Sequence, residues 1–406
     1  MLSIVSETTE KLVLTSHFDR ETISVSLNRL ESWLEVHDWQ AYEPFDGLNS
    51  WLRPLAFGTL GRQMLVQIGV RSPLNLRPML GTKPATSTKG MGYIASAYLK
   101  LHEMDRDPAY LAKADHCLNW LRSHATRKST GVGWGNHFDY QTRGYYLPKG
   151  EPTVVWTSLV GHAFIDAYEL VNRQEDLEVA IQAAQFITKG LERRPQTSGV
   201  CISYVPGNFL AIHNANMLAA GFLSRVYRHT QEISYRETAT NAVLYTTSAQ
   251  RRDGSWWYGE EPKFRWVDNW HSAYVLDSLW RYIENTGNHT FVEQFEKGVR
   301  FWLDHFFLAD GTPKFYPDRT YPIDIQSASQ AIESLCLYSR VFDATCAPLA
   351  NRVATWTIAH MQDPDGHFYY RRTQRWVNKT PMLHWGQATM FYALVSLLAL
   401  NRERLH

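Results

Sequence analysis

Five times along this chain a helix-like stretch closes, a glycine-centred aromatic loop follows, and a new apolar stretch opens. The loops read Gly131-Val-Gly-Trp-Gly-Asn-His-Phe-Asp-Tyr140, Gly199-Val-Cys-Ile-Ser-Tyr204, Asp253-Gly-Ser-Trp-Trp-Tyr-Gly259, Asp310-Gly-Thr-Pro-Lys-Phe-Tyr316 and Asp365-Gly-His-Phe-Tyr-Tyr370. They recur roughly every 60 residues, a period that marks a repeat architecture in which each unit buries its apolar face against its neighbours.

Between the loops, apolar residues return at spacings of three and four, as Tyr110, Leu111, Ala114, Cys117, Leu118 and Leu121 do. That spacing predicts helices. It also covers 154–172, 175–192, 213–229, 232–250, 270–286, 289–307, 326–342, 345–361 and 384–402, with 21–37, 51–70 and 87–104 nearer the N-terminus. The helices pair. The first of each pair is apolar on most sides and the second on one side, so the first is buried and the second lies at the surface. Inner helices then start near 89, 154, 213, 270, 326 and 384. Six inner helices ringed by six outer ones predict an all-α fold, an (α/α)6 toroid with short β-hairpins in its loops. Helix 21–37 supplies the outer partner that 384–402 lacks. The stretch 51–72 is apolar enough for a seventh inner helix and an (α/α)7 ring. No linker rich in Pro, Gly or Ser divides the chain, so 1–406 reads as one domain.

Composition narrows the function classes. The net charge is +1 and the Lys and Arg residues are scattered, whereas nucleic-acid binding needs a concentrated basic face. No run of about 18 uninterrupted apolar residues predicts a membrane span. The N-terminus lacks a basic segment followed by an apolar core, so no signal peptide is expected. Four single cysteines, Cys117, Cys201, Cys336 and Cys346, fit buried thiols in a reducing cytoplasm. No HxxxH, HExxH, phosphate loop or dinucleotide fingerprint occurs, so no metal or cofactor is expected. The excess is aromatic: 15 Trp, 21 Tyr and 18 Phe.

Connections within a helix pair are short, whereas those from an outer helix to the next inner helix are long and open on one face. Such loops on a rigid scaffold are the usual place for a site. The first carries Trp134, Asn136, His137, Asp139 and Arg143; His213 and Asn214 open the next inner helix. Then come Trp257, Glu260, Trp266, Asp268, Asn269 and His271, followed by Tyr316, Arg319 and Asp324. The last loop brings Tyr370, Arg371, Arg372 and Trp385, and Asp46 offers a further wall. Aromatic faces stack on the C–H faces of sugar rings, and amides and carboxylates bond their hydroxyls. The Arg residues suit the carboxylate of an acidic sugar. Each residue also has a structural reading: Asp268 and Asp324 fall where helix N-caps stand, and the Asp-Gly pairs are turn formers.

With these loops, the sequence resembles the α/α-toroid carbohydrate enzymes: unsaturated-glucuronyl hydrolases, toroid polysaccharide lyases and sugar epimerases. Tyr42-Glu-Pro-Phe-Asp-Gly-Leu-Asn49 and Phe315-Tyr-Pro-Asp-Arg-Thr-Tyr-Pro-Ile-Asp324 resemble bacterial proteins found among exopolysaccharide genes. The resemblance implies an oligosaccharide or polysaccharide substrate. Hydrolysis would use two carboxyls, for which Asp139 and Asp268 are the first candidates, with Asp324 and Asp46 behind them. Lyase or epimerase chemistry would use His213 or a Tyr as base, with Asn214 and an Arg neutralising the acid. A non-catalytic glycan-binding protein is the alternative from another class. Gln250-Arg-Arg-Asp-Gly-Ser-Trp256 also resembles the Gln–Trp repeat of terpenoid cyclases, but Ile323-Asp-Ile-Gln departs from their acid motif.

Overall fold

A computed structural model describes residues 21–142 and 144–404. Arg143 and the N-terminal segment read for a signal peptide lie outside them. The helices are α1 (21–36), α2 (Gly58–Arg71), α3 (Thr88–Asp105), α4 (Pro108–Ser123), α5 (Val154–Val171), α6 (Gln174–Gln185) and α7 (His213–Thr230). They continue as α8 (Ile233–Ser248), α9 (Asn269–Thr286), α10 (Val292–Phe306), α11 (Ile325–Val341), α12 (Cys346–Met361) and α13 (Ala388–Glu403).

The odd-numbered helices from α3 to α13 form an inner ring. Each packs on the next, and α13 packs back on α3 to close it. Their buried faces make one continuous core. Helices α4, α6, α8, α10 and α12 lie outside it, and α1 takes the sixth outer place. Lys113 of α4 reaches Glu31 and Glu35 of α1 at 2.8 and 2.6 Å, and Gln362 beyond α12 donates to the Ser26 carbonyl at 3.1 Å. Among the described residues the ring has six inner helices, not seven. Helix α2 stands apart and buries only Leu65, Val66 and Val70 in a small cluster with Leu48.

The repeated glycine has a packing reason beyond its turn. Gly131, Gly199, Gly254, Gly311 and Gly366 all have φ between 72° and 134°, a region that disfavours side chains. Each also touches the backbone of the next outer helix. A Cβ would lie 2.2 Å from the Gln182 carbonyl oxygen of α6, 2.2 Å from that of Asn241 in α8, and 2.6 Å from that of Lys297 in α10. On Gly311 it would meet the Arg352 backbone of α12 at 2.6 Å, and on Gly366 the Arg29 carbonyl of α1 at 2.3 Å. The hairpin of one unit is thus seated on the outer helix of the next. Gln250 and Gln362 hold two of these turns, each bonding a turn carbonyl and the carbonyl of a residue at the next helix.

Tight reversals at the opposite end set the orientation of the ring. Arg106, Asn172, Gln231 and Gly287 end α3, α5, α7 and α9 in the left-handed region, each donating its N–H four residues back. This cap stops the helix and turns the chain at once. The long loops therefore gather on the other face, where the strands are two- or three-residue antiparallel pieces, mostly hairpins, with Ile323–Asp324 pairing instead with Arg371–Arg372 of the next loop. Among the described residues one stretch, Leu383–Glu403, is long and apolar enough to cross a membrane, but 94% of its most apolar window is buried inside the protein. It is a wall of the inner ring.

Candidate active site

The long loops and the inner-helix starts enclose a cavity of about 620 Å³. Its floor comes from the first turns of inner helices, which contribute Lys89, Trp156, Asn214, Trp270, His271, His384 and Trp385. Tyr140, Tyr145, Tyr204, Tyr258, Trp266, Phe315 and Tyr316 supply aromatic walls, and Gln63, Gln67 and Arg71 of α2 form one side.

Two histidines in this cavity are each backed by a carboxylate. Asp268 caps α9, accepting the backbone N–H of His271 at 3.0 Å through Oδ1. Its Oδ2 lies 2.7 Å from His271 Nδ1 and accepts Trp266 Nε1 at 2.8 Å. His384 sits in a π-helical turn, Leu383–Gln387, that leads into α13. Such turns re-aim side chains and recur at functional sites. The buried Glu43 accepts the His384 backbone N–H at 3.0 Å and lies 2.7 Å from its Nδ1. In both pairs the carboxylate orients the ring and favours a proton on Nδ1. Trp270 lies against His271 at 3.4 Å and meets Trp385 edge to face at 5.1 Å, and Trp385 packs on His384 at 6.0 Å.

The electrostatics favour a neutral His384. Burial, aided by the charge of Lys89, holds it well below the usual imidazole value. Burial also pushes the Glu43 carboxyl up to about 7, against the pull of His137, Lys89 and Arg77. Lys89 is itself lowered to about 8 by burial, opposed by Glu43. Because the folded value of Glu43 is raised, its contribution to stability is complete below about 4.5 and fades as pH climbs through 7. Glu43→Gln keeps an acceptor for His384 but lacks this titration. Its stability deficit relative to the parent should shrink by up to about 3 kcal/mol between pH 4.5 and pH 7.5, measured by denaturant unfolding. A deficit independent of pH would contradict the burial of an ionisable Glu43.

Five polar atoms in the lining have no partner within the protein: Asn214 Oδ1, Trp156 Nε1, Trp270 Nε1, Tyr370 Oη and His384 Nε2. A buried polar group left unmade costs on the order of 1–3 kcal/mol. Donors and acceptors set among aromatic faces match a ligand that carries many hydroxyls on an apolar ring.

No protein-family profile matches the chain, and no curated protein matches it in sequence. Solved structures do match. Cellobiose 2-epimerase from Spirochaeta thermophila aligns at TM-score 0.60 and 13% identity, over 79% of this chain and 87% of its own. A D-mannose isomerase aligns at 0.56 and 12%, over 78% and 87%. A glycosyl hydrolase of family 88 from Bacteroides vulgatus aligns at 0.57 and 8%, over 77% and 92%. The fold is the α/α toroid of sugar enzymes. At these identities the likeness is one of fold, and it spans epimerisation, isomerisation and hydrolysis alike.

The toroid gathers Asn136, Asn214, Trp266, Asp268, His271, Tyr316, Arg319, Tyr370, Arg371 and Trp385 around one cavity. It sets other candidates behind or beside the wall. Asp139 pairs with Arg53 at 2.5 Å and accepts the Lys149 N–H. Asp324 caps α11, takes two bonds from Arg371 and one from Trp385 Nε1, and so orients two lining residues without lining the cavity itself. Asp46 is buried against Arg77 at 2.7 Å.

His213 is buried, with Nε2 2.7 Å from Glu260 and its ring stacked on Tyr245. The His213 hydrogen bond in turn holds Glu260 below the usual carboxylate range. Trp134 seals the core by donating to the Leu121 carbonyl at the end of α4, and Trp256 does the same for Thr246 in α8. Asn269 bonds the Lys314 carbonyl and Trp302. Trp257 lies under Arg251 and Arg265, and Arg372 sits half-buried in a hairpin strand. His137 stands beside Glu43, and burial lowers it to about 4.

Glu43 and Lys89 were not among the sequence candidates. The signal for His384 lay in the repeat: Trp270-His271 and His384-Trp385 both open inner helices. Asp268→Asn tests the first pair. Asn caps a helix as well as Asp does, so stability should hold while turnover drops by about 10²-fold or more through loss of the oriented imidazole. An unchanged kcat in a folded Asp268→Asn protein would assign Asp268 to capping alone.

Proposed function

We propose that the protein is a carbohydrate-active enzyme that moves a proton on a reducing sugar, as an epimerase or aldose–ketose isomerase. The observation that carries this reading is the pair of carboxylate-backed histidines, His271 and His384, in one aromatic cavity. One imidazole takes the proton from the carbon next to the carbonyl of the open-chain sugar, and the electron pair moves into an enediol. The other, entering as the imidazolium, returns its Nε2 proton, either to the opposite face of the same carbon or to the former carbonyl carbon with an accompanying O–H shift, and exchange with solvent restores the two protonation states. Atoms balance, and no redox partner is required. His384 Nε2 has no partner within the protein and is the nitrogen left to take the proton.

Hydrolysis by paired carboxyls needs two of them roughly 5–9.5 Å apart across the bond. Asp268 is the one carboxylate lining the cavity among the described residues, and three hydrogen bonds already engage it. Lys89 and Arg319 favour a second reading, proton abstraction from a uronate followed by elimination, since both cations line the cavity. A polar floor speaks against a terpenoid cyclase. A screen of neutral reducing mono- and disaccharides and of uronate oligomers by proton NMR separates these readings. New epimers or ketoses support the proposal, conjugated unsaturated uronates support elimination, and shortened saturated chains sink both.

A further inference from the structure

Exposed large apolar side chains concentrate in one stretch, where Trp51, Leu55, Phe57, Leu60, Met64, Ile68, Leu74 and Met79 are between 46% and 80% exposed. Contiguous exposed apolar surface of this kind marks an interaction site. Helix α2 is apolar on two sides. Val66 and Val70 face the cavity, while Leu60, Met64 and Ile68, four apart, form an exposed stripe. The charge around this stripe has one sign. No Asp or Glu occurs between Asp46 and Glu103, whereas Arg53, Arg62, Arg71, Arg77 and Lys83 fall in the same stretch. Arg77 is spent on Asp46 and Arg53 on Asp139. Arg62 is turned to Gln141 Oε1 at 2.9 Å and to the Tyr146 ring, while Arg71 and Lys83 have no carboxylate partner among the described residues.

We infer that this face is a docking surface for an anionic lipid bilayer, with α2 lying in the interface. An apolar stripe with aromatic ends and flanking cations is the pattern of interfacial helices, which sink their apolar side to the headgroup boundary and hold acidic lipids with their cations. A second copy of the chain fits less well, because a two-fold contact would set Arg71 and Lys83 against themselves. Docking by α2 brings the cavity that shares this helix next to the membrane surface. The inference is independent of the chemistry proposed for that cavity.

Sedimentation of the full chain with sucrose-loaded vesicles tests it, using phosphatidylcholine alone and phosphatidylcholine with phosphatidylglycerol. Binding to the anionic vesicles should be at least about tenfold tighter and should weaken with salt. The variant Leu60→Ser/Met64→Ser/Ile68→Ser should lose it, and Lys83→Glu should weaken it while leaving the fold untouched. Light scattering without lipid should show a monomer. No binding to either vesicle overturns the inference. A dimer that the triple variant converts to monomer also overturns it, in favour of contact between two copies.

Discussion

His271→Asn and His384→Asn should each lower turnover by about 10³-fold in proteins that remain folded. General acid–base groups contribute on the order of 10²–10⁴; both imidazoles border the cavity, and because His384 is buried against Glu43 its replacement should also lower stability. Asn keeps part of each polar contact and removes only the titratable nitrogen. Glu43→Gln should lose less than His384→Asn, because Gln still accepts the Nδ1 proton and orients the ring. The double histidine variant should fall little below either single one, since groups that act as a unit are not additive. Full activity in either folded single variant would remove that histidine from the chemistry.

Gly366→Ala should cost about 3 kcal/mol and lower the denaturant midpoint accordingly. Two terms combine. The residue has a φ of 110°, a strain of about 1–2 kcal/mol for a side chain. Its Cβ would also lie 2.3 Å from the Arg29 carbonyl, and forcing a methyl into a filled contact costs about 1–3 kcal/mol. Gly207 provides the control. It too has positive φ, at 69°, but a Cβ there meets nothing within 4 Å. Gly207→Ala should therefore show only the conformational part, about 1 kcal/mol. Equal losses at the two positions would mean that the seat on α1 contributes nothing, and α1 would no longer count as the sixth outer helix.

That glycine shows why the fold was legible in the sequence. The 3.6-residue pattern gives the helices, the alternation of all-round and one-sided helices gives the two layers, and the recurring loops give the ring. The helix boundaries follow within a few residues because αL caps such as Arg106 and Asn172 end them sharply. The stretch 51–72 misled by composition alone. Its apolar content belongs to a helix exposed on one side, and an apolar helix at the surface reads like a buried one when only hydrophobicity is counted.

The lining of the cavity was legible where the repeat varies, as with Asp268, His271, Asn214 and Trp385. Asp139, His213 and Asp324 have the right chemistry in the right loops, yet Arg53, Glu260 and Arg371 engage them. No local pattern announces such partners. Glu43 was out of reach for a different reason. It lies outside the repeat and meets His384 across 341 positions of chain, a contact that only ring closure creates.

Solvent isotope placement tests the central claim most directly. A reducing sugar converted in heavy water should gain one deuterium at the carbon next to its carbonyl, in step with product formation, and the His271→Asn and His384→Asn proteins should both lose this exchange. Turnover that leaves that carbon fully protonated, or that cleaves a glycosidic bond without exchange, would contradict proton transfer between two histidines as the chemistry of this cavity.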